Sequence, residues 1–276
     1  MTTAGTRLCC LLGDPVEHSL SPRIFSAAFH ATGLDWVYLA FRTRQEDLKV
    51  VLDGLRAAGF TGCNVTMPHK MEAAKCLERL EGTASLAGSV NVISNEDGKL
   101  VGRNTDGRGA LLSLEANGVP LDGRRILIVG YGGVARAVAF EIARTRRPGE
   151  LIITGRDRAK ASSLAGELGA FTRARAANPT DVEGADVMIN ATPVGMRPFA
   201  NELPLPESAI DSGMTVFDLV YNPLETRLLQ ISSERGCKTI NGLEMLLYQG
   251  ALAFEIWTGL KPPLKEMRRA AMEGLS

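Results

Sequence analysis

The chain reads as an α/β protein with two lobes, an N-terminal α/β domain with a parallel-rich sheet and a Rossmann-type dinucleotide-binding domain. Three observations predict this. Short apolar strand-like runs alternate with segments of helical spacing through the first hundred residues. A second run of the same kind starts at Arg125-Ile-Leu-Ile-Val-Gly130. A glycine-rich turn, Gly130-Tyr131-Gly132-Gly133, follows that apolar strand at once.

In the first run, residues 8–13 read as a strand and residues 22–32 as a helix with Pro22 near its start. Residues 36–41 form a further strand. Residues 45–58 carry apolar residues at helical spacing, Leu48, Val51, Leu52 and Leu55. A strand over 63–66, a helix over 68–80 and a strand over 89–94 follow. Asn104-Thr-Asp-Gly107 then precedes a linking helix over 109–117, which puts a boundary near residues 103–110. The second run continues as a helix over 134–144, a strand over 151–154, a helix over 159–168, strands over 187–190 and 215–219, and a helix over 225–234. A long, mostly apolar helix over 242–258 and a more charged one over 265–273 end the pattern. Periodicity does not say which lobe these last helices join.

The 276 residues are 45% hydrophobic and 22% charged, a globular composition. Lysine plus arginine and aspartate plus glutamate each number 31, so no basic surplus points to nucleic acid. Five scattered cysteines without a CxxC read as reduced thiols of a cytoplasmic protein, and three dispersed histidines predict no metal site. The apolar run near the N-terminus is strand length and too short for a membrane span.

Gly130, Gly132 and Ala135 fit G-x-G-x-x-G/A. The first glycine permits a tight turn, the second lets backbone approach a pyrophosphate, and the third position needs a small residue for helix–strand packing. The next helix start offers free N–H groups to phosphate. The next strand end reads Gly155-Arg156-Asp157-Arg158, with Lys160 beyond. Arg156 stands where NAD-binding folds usually carry an acid, and guanidinium pairs with phosphate in a bidentate way, which favours NADP. Asp157 leaves NAD possible.

Elsewhere, Ser19 and Ser21 lie on a strand-to-helix loop, where their hydroxyls suit a carboxylate or a hydroxylated ring. Ser21 can equally cap the helix at Pro22. Thr66, Asn91 and Asp106 fall at or near strand ends, where α/β folds bind ligands. Lys70 sits near a helix start, against the helix dipole, and could pass a proton to a carbonyl oxygen while Asp106 orients it. Beside a dinucleotide fold, this lysine–carboxylate pair points to a redox enzyme.

The chain resembles the shikimate dehydrogenase family along nearly its whole length. The matching motifs are Gly13-Asp-Pro-Val-Glu-His-Ser-Leu-Ser-Pro22, Asn64-Val-Thr-Met-Pro-His-Lys70, Ala87-Gly-Ser-Val-Asn91, Asn104-Thr-Asp-Gly107, Gly130-Tyr-Gly-Gly133, Asn190-Ala-Thr192 with Gly195-Met196, Val220-Tyr-Asn-Pro223, and Gly242 through Gln249. The resemblance implies NADP-dependent reduction of 3-dehydroshikimate to shikimate in aromatic biosynthesis, by a monomer or homodimer. It implies a substrate domain over 1–105 completed by helices 242–276, and an NADP-binding domain over 106–241. It also implies that Lys70 and Asp106 are catalytic, and that Ser19, Ser21, Thr66, Asn91, Tyr221 and Gln249 hold the substrate. On the cofactor side it implies Gly130, Tyr131, Gly132, Gly133 and Val134 at the pyrophosphate, Arg156 and Lys160 at the 2′-phosphate, and Leu219 and Gly242 near the nicotinamide. Departures from the family pattern are Phe25-Ser26 for a common His-Asn, Tyr131 for a usual alanine, Gly155 and Asp157 for Asn and Thr around Arg156, and Pro193 for Ser. They leave room for a paralogue acting on quinate or an aminoshikimate.

Overall fold

The computed structural model describes residues 2–275. The chain forms two compact units, one of residues 1–106 with 247–276 and one of residues 107–246.

The first unit carries β1 (Arg7–Gly13), α1 (Ser21–Ala31), β2 (Trp36–Arg42), α2 (Leu48–Ala57), β3 (Gly62–Val65), α3 (Lys70–Lys75), β4 (Arg79–Leu80), α4 (Thr83–Ala87), β5 (Val92–Glu96) and β6 (Lys99–Arg103). Its sheet runs β2-β1-β3-β5-β6-β4. β1 pairs in parallel with β2 and β3, whereas β5 is antiparallel to both β3 and β6. That arrangement brings the ends of β1, β3 and β6 and the start of β5 to one edge of the sheet. One face is packed by an aromatic cluster in which Phe25 stacks on Tyr38 at 4.5 Å and lies 5.3 Å from Trp257. Phe25, one of the departures noted above, is thus a core residue.

The second unit opens with α5 (Asp106–Ala116), which begins on the last residue of the first unit. It continues with β7 (Arg125–Val129), α6 (Gly133–Thr145), β8 (Glu150–Thr154), α7 (Arg158–Leu168), β9 (Ala174–Ala176), β10 (Val187–Asn190), β11 (Thr215–Asp218), α8 (Arg227–Glu234) and β12 (Lys238–Ile240). Its sheet, β12-β11-β10-β7-β8-β9, is parallel throughout. Counted from β7, the order is 3-2-1-4-5-6, that of the doubly wound dinucleotide-binding fold. Strands β7, β8 and β10 are buried almost end to end, which is why they read as unbroken apolar runs. α9 (Leu243–Thr258) and α10 (Leu264–Glu273) close the fold, and residues 247–276 belong to the first unit. There Trp257 lies against the bare α-carbon of Gly62, where a Cβ would stand 2.3 Å from the indole, and donates its Nε1–H to the Ile93 carbonyl at 3.1 Å.

Several elements differ from the expectation. The helix expected over 68–80 is only α3, which ends in a tight turn from the Cys76 amide to the Ala73 carbonyl, followed by strand β4. Leu77 and Leu80 have helical spacing but both pack onto Gly102 of β6. The strand expected over 89–94 starts only at Val92, because Ser89 and Asn91 are engaged through loop hydrogen bonds. β6 was not expected, although Asp97-Gly98 marks its hairpin. Both residues have positive φ, 51° and 83°, the mark of a type I′ turn. The helix over 45–58 begins as a short 3₁₀ turn before α2. α4 and the short strands β9 and β12 were likewise not anticipated. Among the described residues no helix is long and apolar enough to cross a membrane.

Candidate active site

The edge of the first sheet where β3, β5 and β6 meet holds a closed polar network. Lys70, the first residue of α3, donates from Nζ to Asp106 Oδ2 at 2.6 Å. Both groups are withdrawn from solvent, with side-chain exposures of 13% and 4%. Asp106 opens α5, so the helix dipole favours its carboxylate, while the dipole of α3 opposes the ammonium. Lys70 therefore depends on Asp106 as its counter-charge.

Asn91 organises the rest. Its Oδ1 accepts the Thr105 amide at 2.8 Å, which fixes the orientation of the carboxamide. Its Nδ2 then faces Asp106 Oδ1 at 3.0 Å, Thr105 Oγ1 at 2.9 Å and Gln249 Oε1 at 3.1 Å. Thr105 Oγ1 donates to the Gln249 carbonyl at 3.0 Å, tying α9 to the same edge. Asn104 Oδ1 accepts the Asp106 amide at 2.9 Å. Behind Asn91, Asn64 Nδ2 donates to its carbonyl at 3.0 Å and Asn64 Oδ1 accepts the Tyr38 hydroxyl at 2.7 Å. Tyr38 is fully enclosed, and burial holds its phenol well above the usual range, so it remains a donor.

The expected substrate residues are placed as follows. Asn91 bonds Asp106 directly, and Gln249 meets the network through Asn91 and Thr105. Ser21 meets the Tyr38 oxygen and so reaches the network only through Asn64. It is the first residue of α1 and makes no side-chain cap, so the capping alternative does not hold. Ser19 Oγ accepts the Ser21 amide at 3.2 Å. Thr66 follows β3, and its methyl fills the space in front of Gly13, where a Cβ would stand 2.3 Å away. Ser19 and Thr66 thus flank the same edge without bonding to the Lys70–Asp106 pair. Tyr221 stands in the second unit beyond β11, with burial raising its phenol. Thr105 and Asn64 were not singled out from sequence, although Asn104-Thr-Asp-Gly and Asn64-Val-Thr contain them.

In the second unit the glycine turn has the form a dinucleotide needs. Gly130 has φ 119°, a conformation L side chains rarely adopt. A Cβ on Gly132 would meet nothing within 4 Å, so bare backbone faces open space at the start of α6, where a phosphate could approach the helix N–H groups. Ala135 is fully buried under the helix. Gly133 and Val134 are the first two residues of α6. Gly242 donates its amide to the Val220 carbonyl at 3.0 Å, and a Cβ there would lie 2.2 Å from the Leu219 carbonyl oxygen. Arg156 is exposed, and among the described residues its side chain makes no ion pair. Asp157 caps α7, accepting the Lys160 amide at 3.1 Å, and its carboxyl is held below the usual range chiefly by that bond. The acid that left NAD possible is thereby engaged by its own helix.

One buried group here was not anticipated. Asp218, at the end of β11, is fully enclosed. Its Oδ1 accepts from Asn190 Nδ2 at 2.9 Å and the Val220 amide at 3.1 Å, and its Oδ2 accepts from the Thr226 hydroxyl at 2.6 Å. Burial still pushes its carboxyl up to about 6. The signal was a lone polar residue ending each apolar strand, Asn190 and Asp218.

Comparison with known proteins finds relatives along the whole chain. The model of the shikimate dehydrogenase substrate-binding domain matches residues 11–93, and that of the shikimate 5′-dehydrogenase C-terminal domain matches residues 242–272. The shikimate dehydrogenase (NADP(+)) of Methanocaldococcus jannaschii is 44% identical over 284 residues, covering 100% of both chains. The chain belongs to the shikimate dehydrogenase family. The shikimate dehydrogenase (NADP(+)) of Moorella thermoacetica is 46% identical over 280 residues, covering 99% of this chain and 95% of its own. Among solved structures, shikimate 5-dehydrogenase from Thermus thermophilus in complex with NADP(H) and shikimate superposes with a TM-score of 0.89 at 38% identity, covering 98% of this chain and 100% of that one. The Asn91-centred network is therefore found in a chain that shares its whole length with shikimate dehydrogenases.

Proposed function

We propose that the chain is an NADP-dependent oxidoreductase that reversibly reduces 3-dehydroshikimate to shikimate. The observation that carries the reading is the Lys70–Asp106 pair, 2.6 Å apart and withdrawn from water on a sheet edge lined by neutral amides and hydroxyls. NADPH, when bound, supplies the hydride to the ketone carbon. Lys70 Nζ gives its proton to the ketone oxygen as the alkoxide develops, and takes it back in the oxidation. Asp106 pairs with the ammonium and points it. Asn91, Gln249, Thr66, Ser19, Ser21 and Tyr221 bind the ring hydroxyls and carboxylate. Gly130, Tyr131, Gly132, Gly133 and Val134 take the pyrophosphate side, Arg156 and Lys160 the 2′-phosphate, and Leu219 and Gly242 the nicotinamide. Residues 1–105 with 242–276 serve as the substrate domain and 106–241 as the cofactor domain.

The test is nicotinamide absorbance with shikimate or quinate, each with NADP or NAD. Dominant turnover of shikimate with NADP supports the reading, and comparable turnover of quinate or NAD replaces it with a broader dehydrogenase. Lys70→Ala should lower kcat by about 10²–10⁴ with substrate affinity kept within a few-fold. Near-normal turnover in that variant removes Lys70 from the chemistry.

A further inference from the structure

Two of the departures from the family pattern, Tyr131 in the glycine turn and Gly155 at the end of β8, are one feature in space. β7 and β8 are neighbouring parallel strands, with Val129 opposite Thr154, so the residues just after them emerge side by side. The Tyr131 ring lies directly on the bare α-carbon of Gly155. A Cβ at 155 would stand 2.7 Å from Tyr131 Cε1 and 3.1 Å from Cδ1. Any residue larger than glycine would push the ring away. From the first turn of α7, the Lys160 ammonium stands 5.8 Å from the centroid of the same ring, within cation–π range. Its other neighbour is Asp157 Oδ2, at 3.5 Å. Arg156, fully at the surface, completes the group.

We propose that Tyr131, seated on Gly155, is a positioning residue for cofactor specificity: its ring holds Lys160 where it binds the ribose 2′-phosphate of NADP. The inference rests on the NADP reading above and deepens it. The end of the second strand of a dinucleotide-binding fold is where the adenosine ribose is read. A lysine there has a flexible stem and a compact charge, so its worth to a phosphate depends on how many positions it samples. Asp157 alone would draw the ammonium back towards the helix cap. The ring face offers it a second, apolar-backed position in front of β8, beside Arg156. A ring at this point needs a bare residue 155, which accounts for the two departures occurring together.

The test uses the whole protein and calorimetric binding of two probes, adenosine 2′,5′-diphosphate and adenosine 5′-monophosphate, which differ only in the 2′-phosphate. In Tyr131→Ala the bisphosphate should bind about three- to fivefold more weakly, with adenosine 5′-monophosphate, which lacks the pyrophosphate, changed less than about twofold. Tyr131→Phe should keep wild-type affinity for both, since the ring and not the hydroxyl holds the ammonium. Gly155→Ala should show the same selective loss in the wild-type background and none in the Tyr131→Ala background. Equal losses for the two probes, or tighter bisphosphate binding without the ring, overturn the proposal. So does a Gly155→Ala effect that is the same in both backgrounds. If the unaltered protein itself does not favour the bisphosphate, the NADP reading fails and this proposal with it. If it does favour it and Tyr131→Ala keeps that preference, only the role of Tyr131 fails.

Discussion

Replacing Asp218 by asparagine should change how stability depends on pH, and the size of the change follows from the site. An aspartate carboxyl titrates near 3.8 in the unfolded chain, and burial raises it to about 6 in the fold. Below both values the group is protonated in either state and contributes no difference. As pH rises from about 4 to about 6, the unfolded chain ionises while the folded one keeps its proton. Ionisation then favours unfolding, so stability falls through that window and stays lowered above it. Two pH units correspond to about 3 kcal/mol, of which about 1 kcal/mol is lost between pH 5 and pH 7. Asparagine preserves the size of the side chain and an oxygen for Asn190 and the Val220 amide, but it does not titrate. Urea unfolding of both proteins at pH 5, 6 and 7 isolates the group, because every other titration cancels in the difference. The stability of Asp218→Asn relative to wild type should rise by about 1 kcal/mol from pH 5 to pH 7, whatever its absolute value. Parallel pH profiles would refute the reasoning. They would mean that the three donors on this carboxylate fully compensate its burial.

Three other substitutions test the sites directly. Gly242→Ala puts a methyl group 2.2 Å from the Leu219 carbonyl oxygen and 2.9 Å from the Val220 carbonyl carbon, both backbone atoms that cannot rotate aside. The segment must shift, so KM for NADP should rise roughly tenfold or more while KM for shikimate changes less, in steady-state kinetics varying each substrate. Asp106→Asn leaves the Lys70 ammonium without a counter-charge and should cost about 3 kcal/mol in urea unfolding at pH 7. Lys70→Ala should cost less than half of that, since Asp106 keeps Asn91 and the start of α5; a reversed order would show that the lysine, not the carboxylate, anchors the pair.

Much of this was legible from residue pattern because the second sheet is buried on both faces. A strand such as Val187–Asn190 has no polar position before its last residue to confuse the reading, and Asn190 marks its end. The first unit was harder. Leu77 and Leu80 are spaced as on a helix, yet they serve a two-residue edge strand, and only their contact with Gly102 reveals it. The Asp97-Gly98 hairpin was visible in principle, but Lys99–Arg103 has only two buried large apolar residues, Leu100 and Val101, and gives a weak strand signal. Lys70 and Asp106 were read from sequence as a pair, Lys70 near a helix start and Asp106 near a strand end. The way the fold joins them was not legible, because it depends on β5 and β6 turning back antiparallel, a property of the sheet as a whole. The Tyr131–Gly155 contact shows the same limit: each residue alone is a departure, and only strand adjacency makes them a pair.

The surroundings of the Lys70–Asp106 pair explain why amides dominate this edge. A carboxylate placed at Asn91 would add a second negative group 3.0 Å from Asp106 and compete for Lys70. A cation there would compete with Lys70 for Asp106. A neutral carboxamide does neither. It donates to Asp106 while its oxygen is occupied by the Thr105 amide, so the network has a direction that does not depend on pH. Asn64 and Gln249 extend the same logic outward, linking Tyr38 on one side and α9 on the other without adding charge. Within this network Lys70 and Asp106 are the charged pair, joined by the Nζ–Oδ2 hydrogen bond at 2.6 Å. A ketone oxygen presented to Lys70 Nζ would therefore meet a donor whose support is fixed in orientation and neutral in charge. That is the condition under which hydride arrival at carbon and proton arrival at oxygen can occur without rearranging the protein.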